Sequence, residues 1–121
     1  MKTKLIIATS SLILAAAPLA NACDYPDRPS IPEGSTASKE DMLAAKAAVT
    51  TYLEGVDAYL VCLEEEEKAA VADLDSPDQD ELQRRDEMLN KKFDAANDEK
   101  ALVGEEFNQQ VRAYNAARQS Q

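Results

Sequence analysis

The residues best suited to covalent chemistry are two cysteines, Cys23 and Cys62. An even cysteine count beside an apparent export signal reads as a disulfide. A redox-catalytic role fits poorly, because there is no Cys-x-x-Cys and no histidine to activate a thiolate. The lack of histidine also removes the commonest general base and the commonest transition-metal ligand. No phosphate-binding glycine loop, nucleophile elbow or zinc spacing occurs, and Gly34, Gly55 and Gly104 are the only glycines. No catalytic residue is assigned, no enzyme activity is expected and no cofactor is implied.

Carboxylates are the other chemical resource. Glu64, Glu65, Glu66 and Glu67 are consecutive. Neighbours in a helix point about 100° apart, so four in a row cannot converge on one ion and form a solvated face instead. Asp73, Asp75, Asp78, Asp80 and Glu81 crowd a second region and are the candidates for a weak calcium site. Their spacing departs from the EF-hand loop. Counted from Asp73, Pro77 stands where a third ligand belongs, Asp78 replaces the turn glycine and Arg84 replaces the closing glutamate. Acids placed at a helix start account for the same residues without a metal.

Residues 1–22 read as a cleaved signal peptide. Lys2 and Lys4 precede an apolar run from Leu5 to Leu14, Pro18 breaks the helix, and Ala20-Asn21-Ala22 offers a small-x-small cleavage site. The run is too short to span a bilayer, so no transmembrane span is expected. A lipid anchor on Cys23 is the competing reading. Asn21, and Ala20 where such a site has leucine three residues before the cysteine, weaken the match, and acylation would strand Cys62 as a lone thiol. Loss of residues 1–22 removes two lysines and no acid, taking the formal charge from −10 to −12. So acidic a chain is a poor partner for nucleic acid or anionic lipid.

The elements that must position these residues are helical. Residues 23–37 contain Pro26, Pro29 and Pro32, which exclude a helix and favour an extended, polyproline-like arm with a turn near Glu33-Gly34. Ser38 then suits an N-cap, with Asp41 at the capping-box position. A first helix is predicted over 39–74, with Met42, Val49, Leu53, Val56, Leu60 and Leu63 along one face. Asp75-Ser76-Pro77 marks a boundary, with Ser76 as cap and Pro77 in the first helical position. A second helix is predicted over 77–117, weakest between Asn97 and Gly104, with residues 118–121 frayed.

The fold class is therefore all-α: an antiparallel two-helix hairpin with a proline-rich arm tethered by a disulfide. A hairpin centred near Ser76 brings Leu63 to Leu89, Val56 to Ala96, and Glu66 and Glu67 to Arg84 and Arg85. A second stripe of Ala45, Ala48, Tyr52, Gly55 and Tyr59 leads to Cys62 and forms a groove for the arm. Ser38 to Cys62 is about 36 Å of helix. The arm from Cys23 to Ser38 reaches about 46 Å as polyproline II. Tyr25 and Pro26 are thereby expected near Tyr59, and Pro29 near Tyr52.

Function is read only as a class: a non-enzymatic structural or interaction module of the bacterial envelope, exported to the periplasm. Its partner is an unknown protein or a second copy of the chain. The alternatives are a periplasmic holdase or inhibitor that grips a client through a helix flank, and the calcium binder at the acidic turn.

Overall fold

The computed structural model describes residues 23–121. The proposed signal lies outside them. Among the described residues there are two helices and no strand: α1, Lys39–Ala72, and α2, Gln79–Gln119. The polypeptide is all-α and carries the Cys23–Cys62 disulfide.

Local chemistry sets the start of α1. The Ser38 hydroxyl accepts from the Asp41 amide at 3.0 Å, and the Asp41 carboxylate accepts from the Ser38 amide at 3.2 Å. Two amides that a helix start leaves orphaned are thus satisfied reciprocally. The same Ser38 bonds hold the Asp41 carboxyl below its ordinary range.

The connection differs from the expected one. Helix α1 stops at Ala72 rather than Leu74, and the Asp73 amide bonds back to the Ala69 carbonyl. Ser76 adopts φ 50° and so cannot serve as the extended N-cap. The chain reverses through it, and Asp78 caps α2 instead, its carboxylate accepting from the Glu81 amide at 2.7 Å. Pro77 consequently precedes the cap rather than following it. Helix α2 runs unbroken through Asn97, Asp98 and Gly104 and ends at Gln119, where Arg118 stacks over the Tyr114 ring at 4.2 Å.

The core is a seam between the helices. Val49, Tyr52, Val56, Leu60 and Leu63 of α1 meet Ala96 and Val103 of α2, and Val56 and Val103 are fully buried. Leu53, Leu89, Phe93 and Phe107 pack partly buried against this cluster. The burial follows the period-3.6 spacing of apolar residues in both helices. Glu67 and Arg85 meet in a two-bond ion pair at 2.7 and 3.0 Å near the turn, in the expected register. Farther along, Lys100 reaches Asp57.

Candidate functional site

The covalent centre is the disulfide. Cys23 and Cys62 lie 39 residues apart in sequence, with Cα atoms 5.7 Å apart, and both are half-buried. Closing a loop of that length restricts the unfolded chain by about 4 kcal/mol on the chain-entropy account. For a domain of this size that is a large share of total stability.

Downstream of Cys23, aromatic residues converge. The Tyr25 ring stands edge-on to Tyr59 at 5.0 Å and to Tyr52 at 6.4 Å. The Tyr25 and Tyr52 hydroxyls lie 3.1 Å apart in a hydrogen bond. Tyr52 is only 3% exposed, and that burial, followed by the Tyr25 bond, pushes its phenol pKa upward. Gly55 lies under Pro26: a Cβ there would come within 3.0 Å of the proline Cβ. Ala45 is buried, whereas Ala48 is exposed and joins Ala45, Ser30 and Pro32 around a shallow depression. Tyr25 thus touches both tyrosines, and Pro26 faces the glycine.

Two contacts to α2 have no counterpart in the sequence reading. Arg28 bridges Glu99 at 2.6 Å and Glu106 at 2.7 Å. The hydrogen bond to Glu106, with the charges of both glutamates, raises the guanidinium pKa. Gly34 is buried against α2, its amide donating to Gln110 Oε1 at 2.8 Å. A Cβ at Gly34 would collide with the Gln110 carbonyl and lie 3.0 Å from the Tyr114 amide nitrogen. Glycine is required there by close approach, since its φ is not positive. The available signal was slender. Arg28 is the one cation between Cys23 and Ser38, and Glu99 and Glu106 are two turns apart on one face.

Among the described residues, the potential metal ligands whose donor atoms lie within 4.8 Å of one another are Cys23, Cys62 and Glu66. Their sulfurs are joined to each other and are therefore poor ligands. Asp73, Asp75, Asp78 and Asp80 do not form such a group, and Asp78 spends an oxygen on the helix cap.

Apolar surface remains outside the core. Leu43, Val61, Met88 and Leu102 are all more than half exposed. Near the open end of the hairpin, Met42, Leu43, Phe107, Val111 and Tyr114 form a groove of about 430 Å³ with Lys39 and Lys46. Among the described residues no helix is long and apolar enough to cross a membrane. Comparison with protein-family models, with curated proteins and with solved structures finds no match.

Proposed function

We propose that the protein is a non-enzymatic interaction module exported to the periplasm, in which the proline-rich arm is a permanent third layer of the hairpin. The observation that carries the interaction role is the exposed apolar surface on α1. Leu43 and Val61 stay open to solvent although both helices are already paired with each other. A disulfide-closed chain with a large acidic excess can keep such a flank without clumping, because like charges hold other surfaces apart.

The arm contributes in a definite way. The bonds from Tyr25 to Tyr52 and from Arg28 to Glu99 and Glu106 support its occupying the groove beside Ala45, Tyr52, Gly55 and Tyr59. A groove filled covalently by the chain's own segment is closed to foreign peptides, because the tether gives the arm a high effective concentration. The opposite flank of α1 is left for partners.

Site-specific photo-crosslinkers at Leu43 and Val61, expressed in the periplasm, test this reading. Adducts to a defined protein, absent with a crosslinker at the exposed polar Glu65, are expected. A flank that yields no adduct at either position defeats the interaction role. Thiol counting on the exported protein should find no free thiol. Two free thiols, or an acylated Cys23, would remove the covalent arm.

A further inference from the structure

We propose that the partner of the α1 flank is a second copy of the chain, paired antiparallel about a two-fold axis near the Thr50–Leu53 turn. The inference rests on the interaction role and gives that role its partner.

The flank opposite the arm is built from Leu43, Lys46, Thr50, Asp57, Val61 and Glu64, which step by three, four or seven along α1 and so share one face. Its chemistry is divided. Toward the open end lie Lys39 and Lys46 beside the apolar groove, and among the described residues neither lysine makes an ion pair. Toward the turn lies Val61, 54% exposed, flanked by Asp57 and Glu64 one turn to either side. One half is an apolar recess with cations; the other is an apolar knob with anions.

A two-fold interface needs a surface that complements itself, residue i meeting j while j meets i. The spacing supplies this. Lys46 with Asp57 and Lys39 with Glu64 are centred between Thr51 and Tyr52, and Leu43 with Val61 half a residue away, on Tyr52. When a second α1 is laid antiparallel over that centre, each Val61 enters the partner's groove. Both lysines then meet carboxylates in the same step, and the arrangement repeats on the other side of the axis. The result is a four-helix bundle with the arms outermost, a common destination for hairpins with an uncovered flank. Asp57 already bonds to Lys100, but its side chain is 62% exposed and can accept a further donor.

Sedimentation velocity on the disulfide-bonded, exported protein from micromolar to millimolar concentration tests the pairing. A reversible monomer–dimer equilibrium is expected. Val61→Glu should weaken it by about tenfold or more, as for a central buried contact, while leaving helicity by circular dichroism intact. Charge reversal gives a sharper arm. K39E and E64K proteins should each dimerise more weakly than wild type alone, yet form a heterodimer when mixed, because mixing sets the two substituted positions, now of opposite charge, against each other at one end and Lys39 against Glu64 at the other. A wild-type protein that is monomeric throughout, or a dimer unmoved by these variants, overturns the proposal. If such a monomer still yields flank adducts to another protein, self-pairing alone has failed. If it yields none, the interaction role has failed as well.

Discussion

At the residue scale, Tyr52 joins the core to the arm. Burial raises its phenol pKa, so the folded state favours the neutral form. The sign of the linkage follows. Tyr52 contributes stability that is fully present below the usual phenol value of about 10 and is lost as pH rises through its raised folded value. Ultraviolet titration of the native protein should show a phenol that ionises late, together with alkaline unfolding, and Tyr52→Phe should abolish that late step. An unchanged titration in the variant would refute the assignment. Gly34 makes a steric prediction. Gly34→Ala must displace the α2 backbone at Gln110, and overpacking of this kind costs about 1–3 kcal/mol, readable as a lower Tm. No change in Tm would mean the approach to α2 is looser than described.

At the element scale, the helix starts show what local chemistry can and cannot decide. Ser38 and Asp41 form the capping box that their spacing implies, since every participant is within three residues. Removing the hydroxyl in Ser38→Ala should cost about 1 kcal/mol. It should also remove part of the acid dependence of stability. Asp41 has a lowered folded pKa, so its contribution is present above the ordinary carboxylate value and fades as pH falls through the lower one. Chemical denaturation at several acidic pH values checks both. The second start differs from the expected one because Ser76 and Asp78 are both competent caps, and the choice depends on how the chain reverses between packed helices. With Ser76 at positive φ, Ser76→Gly should raise stability by up to about 1 kcal/mol, as relief of left-handed strain. A destabilised glycine variant would argue that the serine side chain matters more than its backbone.

At the scale of the whole molecule, one covalent bond and one helix–helix seam share the stability. Reduction of Cys23–Cys62, or a Cys23→Ser/Cys62→Ser double variant, should cost about 4 kcal/mol. Urea unfolding of oxidised and reduced protein measures this directly. A loss of well under half that value would mean the arm's contacts constrain the reduced chain almost as well as the bond does. The ion pairs at Arg28 should matter less. The Arg28 side chain is half exposed, where such pairs add little to stability.

Several features were legible in the sequence because their causes are local or combinatorial. Apolar periodicity specifies two helices and the seam between them, a proline cluster excludes a third helix, and two cysteines admit one intrachain pairing. The Glu67–Arg85 pair follows from the same arithmetic, since a short connection leaves one register in which apolar and charged partners agree. What the tertiary structure alone decided are contacts between segments distant in sequence. Gly34 against Gln110 and Arg28 between Glu99 and Glu106 depend on the angle at which residues 23–38 leave the helices. Periodicity assigns a residue to a face of its own helix. It does not say which neighbouring element that face will meet, because that is settled by packing all the segments together.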